Sequence, residues 1–210
     1  EIPYGEYIIH EIEAPTGYIL SNKSYPVSIS EDGDVIEITA ENKPITVKIS
    51  KRDIYGNELK GAKMQIIDSE DNVVDEWVSD GTNHVVTELP AGEYTLKEIA
   101  APDGYVIAND IRFTVDVYGN VTVENVEATV TSENGNPLIV MVDDTTKVRI
   151  SKQDVTTGKE LPGTTLQIID EDGNVVEEWV STDETHFIEG KLIAGKEYTL
   201  RETIAPDGYE

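Results

Sequence analysis

The chain has 210 residues, with 16 Lys and Arg against 42 Asp and Glu, giving a formal net charge of −26. That balance excludes nucleic acid as a partner, because phosphate binding needs a basic footprint, and it argues equally against adhesion to an anionic membrane. No cysteine occurs, which excludes disulfides, thiolate catalysis and Cys-based zinc sites, and no apolar run approaches the roughly 20 residues of a spanning helix.

In chain order, short runs rich in Val, Ile, Thr and Tyr predict strands at Ile45–Ser50, Met64–Ile67, Val73–Val78, Tyr94–Glu98, Ile111–Val117, Val121–Val123 and Leu138–Val142. Several alternate apolar with polar residues, as half-buried strands do. Turn signals separate them: Tyr55-Gly56-Asn57, Ser69-Glu70-Asp71-Asn72, Tyr118-Gly119-Asn120 and Glu133-Asn134-Gly135-Asn136. No long segment has helical period. So many short strands within about one hundred residues predict an all-β protein of immunoglobulin-like β-sandwich architecture.

The chain repeats itself. K-I-S-K-R-D (48–53) returns as R-I-S-K-Q-D (149–154), and D-E-W-V-S (75–79) returns as E-E-W-V-S (177–181). A-G-E-Y-T-L-K-E-I-A-A-P-D-G-Y (91–105) returns as A-G-K-E-Y-T-L-R-E-T-I-A-P-D-G-Y (194–209), and its closing block stands once more at 4–18. The offset from Lys51 to Lys152 is 152 − 51 = 101 positions, a normal small-domain size. We therefore expect three parts: 1–44 as the end of one repeat, 45–146 as a complete domain, and 147–210 as the start of another. This reads as an excerpt from a longer tandem array; alternatively, the two partial ends complement each other between molecules.

Three side chains stand out by strand phase. Val47, Ile49 and Lys51 share one face of a strand, and Val148, Ile150 and Lys152 repeat the pattern. A Lys on an apolar face is costly unless its charge is paired or lost; the plain alternative is a frayed strand end with a solvated Lys. Tyr94, Leu96 and Glu98 are in phase, as are Tyr198, Leu200 and Glu202, and Tyr7, Ile9 and Glu11, so each Glu is expected to face inward. Ile139, Met141 and Asp143 are in phase as well; the plain alternative for Asp143 is a loop carboxylate, as expected for Asp144.

I-S-K-R-D-x-x-G-x-E-L-x-G-A (49–62), E-x-x-A-P-x-G-Y (98–105) and I-V-M-V-D (139–143) resemble the Cna B-type domains of Gram-positive surface proteins, related to SpaA-type pilin domains. The resemblance covers almost the whole chain and is most specific in the middle copy. It implies tandem prealbumin-like sandwiches and spontaneous isopeptide bonds: Lys51 Nζ joined to Asp143 Cγ, with Glu98 as the proton-transferring catalyst. In the last copy Lys152 and Glu202 take the matching roles, with an acceptor beyond residue 210. In the first copy Glu11 matches the catalyst and Asn42 the acceptor, with the Lys upstream. No cofactor and no metal is implied, and nothing of a turnover enzyme, since each domain reacts once on itself.

Elementary chemistry agrees with that implication. An amine attacks a carboxyl carbon only when neutral, and burial favours the neutral forms of both groups. A protonated carboxyl beside them can stabilise the developing oxyanion and carry protons to the leaving water, while folding replaces concentration with proximity. The bond spans 143 − 51 = 92 positions and ties the first strand to the last.

Other motifs are discounted. Leu161-Pro162-Gly163-Thr164-Thr165 resembles a sorting signal but lacks the final Gly and reads as a turn entering a strand. Asp170-Glu171-Asp172-Gly173-Asn174 fails the spacing of a calcium loop and reads as a hairpin turn. His10, His84 and His186 are scattered, with no metal or triad pattern. Trp77 and Trp179 read as core or core-edge residues, with an exposed ligand-binding role as the alternative.

The expected function is a stalk segment of a secreted, cell-wall-anchored Gram-positive surface adhesin, extracellular, whose partners are neighbouring repeats of the same chain. A rival is an adhesive module that contacts a host extracellular matrix protein through loops around 80–88 and 131–137. A pilus shaft subunit is a further alternative, although Tyr25-Pro26-Val27 lacks the Lys of a donor motif. A hydrolytic enzyme needs an exposed acid and base in a cleft, which inward carboxylates serving a buried Lys do not provide.

Overall fold

The structure is a computed structural model that describes residues 2–31, 33, 35–124 and 128–209. Among them no helix occurs. In chain order the strands are β1 (Gly5–His10), β2 (Ser24–Ile29), β3 (Thr46–Asp53), β4 (Lys60–Asp68), β5 (Val73–Asp80), β6 (His84–Thr87), β7 (Gly92–Ala100), β8 (Ile111–Val115), β9 (Val121–Val123), β10 (Thr129–Glu133) and β11 (Asn136–Asp143). They continue with β12 (Lys147–Ile150), β13 (Thr165–Ile169), β14 (Val175–Val180), β15 (His186–Glu189) and β16 (Thr199–Ile204).

β10-β11-β3-β6 form one sheet of the middle repeat and β5-β4-β7-β8-β9 the other. Their inward faces follow the two-residue period of a strand. Val47, Ile49, Ile139 and Met141 are buried from the first sheet, and Met64, Ile66, Leu96 and Phe113 from the second. Burial of each such side chain contributes about 1.5–3 kcal/mol. The described residues are thus all-β, and the middle repeat is an immunoglobulin-like sandwich of two sheets.

Local sequence sets the hairpins. Glu133 pairs with Asn136 across Asn134-Gly135, and both turn residues have positive φ, 54° and 78°. A two-residue hairpin turn of this hand matches the twist of the strands, and Asn-Gly is its preferred sequence. Asp170–Asn174 is the turn between β13 and β14: the Asp170 carboxylate accepts the backbone N–H groups of Asp172 and Asn174 and the Asn174 amide. Leu161–Thr165 is a turn entering β13, its Thr164 N–H bonded to Ser181 Oγ at 2.9 Å.

Within the middle repeat two strands fall outside the predicted set. β6 is only His84–Thr87, and β10 is Thr129–Glu133, polar throughout except Val130. Neither has the apolar alternation that marks a strand in sequence.

Contacts gather into two units. The first comprises Glu1–Arg52, Glu58–Ile99 and Asn109–Met141, and holds the β1–β2 hairpin and most of the middle sandwich. The second comprises Asp53–Asn57, Ala100–Ala108 and Val142–Glu210. There β12 pairs with β15, and β14-β13-β16 form a three-stranded sheet. Its core is Ile168, Ile188 and Leu192, packed against Val148, Ile150, Val176, Trp179 and Tyr198.

Candidate functional site

β3 carries Val47, Ile49 and Lys51 into the core, and β7, on the other sheet, carries Tyr94, Leu96 and Glu98. Lys51 Nζ lies 3.1 Å from Glu98 Oε2, and the two side chains are 3% and 0% exposed. A charged pair so buried has given up its hydration, and only mutual attraction with good geometry offsets that cost.

Asp143 ends β11, the strand next to β3 in its sheet, and is 0% exposed. Ile139, Met141 and Asp143 are all buried while Val142 is exposed, so the carboxyl lies on the buried side of the strand. Asp144, one residue on, is a surface carboxylate. Its hydrogen bond from Lys147 and then the Thr145 N–H hold its pKa below the usual carboxylate range.

The surroundings of Lys51 are fixed by groups the sequence reading passed over. Ser50 donates its hydroxyl to Glu58 Oε1 at 2.6 Å, Arg52 Nε donates to the same oxygen at 2.8 Å, and Leu59 N–H donates to the Lys51 carbonyl at 2.7 Å. The last repeat repeats the clamp: Ser151 donates to Glu160 Oε1, and the Lys152 N–H to Glu160 Oε2 at 3.2 Å. The recurrence of I-S-K and G-x-E-L in both copies was the available signal.

The matching pairs elsewhere are brought together in a wetter setting. Lys152 Nζ is 2.9 Å from Glu202 Oε2, with side chains 28% and 30% exposed. Leu200, expected inward, is 51% exposed. The reason is architectural: the sheet carrying β12 has two strands among the described residues, whereas its counterpart in the middle repeat has four. In the first repeat, Asn42 Nδ2 donates to both carboxylate oxygens of Glu11 at 2.8 Å and to the Ile19 carbonyl at 3.1 Å. The Ser21 N–H also donates to Glu11 Oε2 at 2.7 Å. Ile9, expected inward beside Glu11, is 50% exposed, since among the described residues β1 pairs only with β2.

Two of the histidines, expected to be scattered, are paired with the tryptophans. Trp77 on β5 stacks on His84 on β6, with ring centroids 4.0 Å apart and planes 6° off parallel, and His84 Nε2 is 2.7 Å from Asp75 Oδ2. Trp179 and His186 repeat the stack at 4.3 Å and 7°, with Glu177 at 3.2 Å. In the middle repeat the stack joins strands of opposite sheets, which closes one corner of the sandwich.

The family model described as the SpaA prealbumin-like fold domain matches residues 1–44, 45–140 and 146–210. Comparison with curated proteins gives no match. Among solved structures, the Bacillus anthracis TIE protein is 28% identical over 97% of this chain and 37% of its own, with a TM-score of 0.47. A C-terminal fragment of the pilus adhesin SpaC from Lactobacillus rhamnosus GG is 20% identical over 79% of this chain and 77% of its own, with a TM-score of 0.43. A streptococcal ancillary pilin is 21% identical over 100% of this chain and 69% of its own, with a TM-score of 0.37. The chain thus spans little more than a third of the TIE structure. With the family model matching three successive segments from residue 1 to residue 210, the chain belongs to the SpaA prealbumin-like fold domain family.

Proposed function

We propose that the middle repeat welds itself through an amide between Lys51 Nζ and Asp143 Cγ, and that the chain serves as a structural segment of a Gram-positive surface adhesin or pilus protein, outside the cell. The observation that carries this reading is the Lys51–Glu98 pair, 3.1 Å apart and removed from water, in a fold whose neighbouring strand ends in a fully buried Asp143. Glu98 takes a proton from the amine, and the neutral nitrogen attacks the Asp143 carboxyl carbon. The C–N bond forms as the nitrogen gives up a second proton, one C–O bond breaks, and the two protons pass by way of Glu98 to the departing Asp143 oxygen, which leaves as water. The reaction happens once per molecule, so it is maturation and not turnover. The names of the similar structures, a pilus adhesin and a pilin among them, agree with a surface role.

Intact-mass spectrometry tests the proposal. The mature chain is expected about 18 Da below the sum of its residues for the one water lost. Glu98→Gln keeps the shape of the side chain but cannot shuttle the proton, so that variant is expected at full mass. A wild-type chain at full mass overturns the reading.

A further inference from the structure

The P-x-G-Y turn occurs three times: Pro15–Tyr18, Pro102–Tyr105 and Pro206–Tyr209. All three fold alike. The Tyr N–H donates to the Pro carbonyl at 3.0, 3.1 and 3.1 Å, and the glycine has φ of +83°, +85° and +86°. The turn is therefore intrinsic to its sequence. Its surroundings differ. A Cβ at Gly17 would lie 2.5 Å from the Glu88 carbonyl oxygen, and one at Gly104 would lie 2.2 Å from the Gly190 carbonyl oxygen. At Gly208 no described atom comes within 4 Å of that position.

Glu88 and Gly190 are equivalent residues of successive repeats. Each stands four positions after the histidine that opens its strand, His84 on β6 and His186 on β15, and each is itself left-handed, with φ of 58° and 67°. Each turn also pairs with the segment that joins the repeats. Ile45 N–H donates to the Gly17 carbonyl and Ile19 N–H to the Lys43 carbonyl, both at 2.8 Å. In register with these, Thr146 N–H donates to the Gly104 carbonyl at 2.8 Å and Val106 N–H to the Asp144 carbonyl at 2.9 Å. The same ladder and the same close approach thus occur at both junctions, roughly one repeat apart.

We propose that the P-x-G-Y turn is an inter-repeat clasp: the turn of one repeat seats its glycine against the left-handed residue of the next repeat and holds the connecting segment between them. The glycine has two duties, and only the seated copies need both. Left-handed backbone alone accounts for Gly208, whereas at Gly17 and Gly104 any side chain collides with a backbone oxygen. At the first junction Tyr18 adds a hydrogen bond from its hydroxyl to Glu88 Oε1 at 2.8 Å. This clasp is independent of the Lys51 chemistry and holds whether or not that bond forms.

Amide hydrogen exchange on the full chain tests it. Gly104→Ala is expected to raise exchange at Thr146 and Gly190 by about tenfold or more, while amides in β4 keep their protection. Gly208→Ala carries the same φ penalty with no seat to disturb, and is expected to leave both amides unchanged. Tyr18→Phe, a mild change that preserves folding, is expected to raise exchange at Ile45 several-fold. Unchanged exchange at Thr146 and Gly190 in Gly104→Ala, an equal rise there in Gly208→Ala, or an unchanged Ile45 in Tyr18→Phe would each overturn the clasp.

Discussion

Lys51 and Glu98 depend on each other. Lys51→Met removes the proposed nucleophile and leaves the Glu98 carboxylate buried beside an apolar chain. Breaking a buried pair by removing one partner costs about 3–5 kcal/mol. Where the proposed cross-link has formed, the amine is already consumed, and the loss is instead that of a loop closure of about one hundred residues, up to about 4.7 kcal/mol with disulfides as the analogue. Adding Glu98→Leu removes the stranded charge, and well-packed apolar residues in place of a buried pair are often neutral. The double variant is therefore expected to melt above Lys51→Met and below the wild type in a thermal scan; a double variant less stable than the single one would contradict this energetic account. Burial of all three side chains was legible, because alternation in β3, β7 and β11 puts each in phase with two apolar neighbours. The clamp at Glu58 and the Trp77–His84 stack were not, since each joins residues whose proximity comes from turns and from the second sheet and not from any local period.

Four tight turns show how sequence pattern becomes structure at the level of elements. Asp53, Asp68, Asp116 and Asp170 each accept backbone N–H groups two and four residues on, and the Asn at the fourth position donates its amide to the same carboxylate. In Asp53, Asp68 and Asp170 the Asn amide, with help from the backbone N–H groups, holds the pKa below the ordinary Asp value. A lowered folded pKa means stability that is fully present above the unfolded value, about 3.9, and lost as pH falls through the folded one. Asn72→Ala removes the donor to Asp68 and is expected to leave stability at neutral pH slightly lower and to move the acid-unfolding midpoint upward, read by circular dichroism against pH; an unmoved midpoint would contradict it. Such turns were readable as turns. The strands they do not flank, β6 and β10, were missed because four residues and a polar run carry too little apolar signal to set a period.

Across the whole molecule, repetition was the strongest signal in the sequence; the family model matches residues 1–44, 45–140 and 146–210. How the repeats join was not legible: Gly17 and Glu88 are 88 − 17 = 71 positions apart, and only the folded turn shows that a glycine is needed there. The face expected inward in the last repeat proved half open, because alternation predicts which side of a strand is apolar and not whether another strand covers it. The proposed weld joins the first and last strands of the middle sandwich, so tension entering at β3 leaves at β11 without separating the sheets. Proteolytic digestion followed by tandem mass spectrometry tests that claim most directly. The account predicts one branched peptide in which the Lys51 segment is joined to the Asp143 segment, lighter than the two together by about one water. Recovery of the two segments only as separate, full-mass peptides would contradict it.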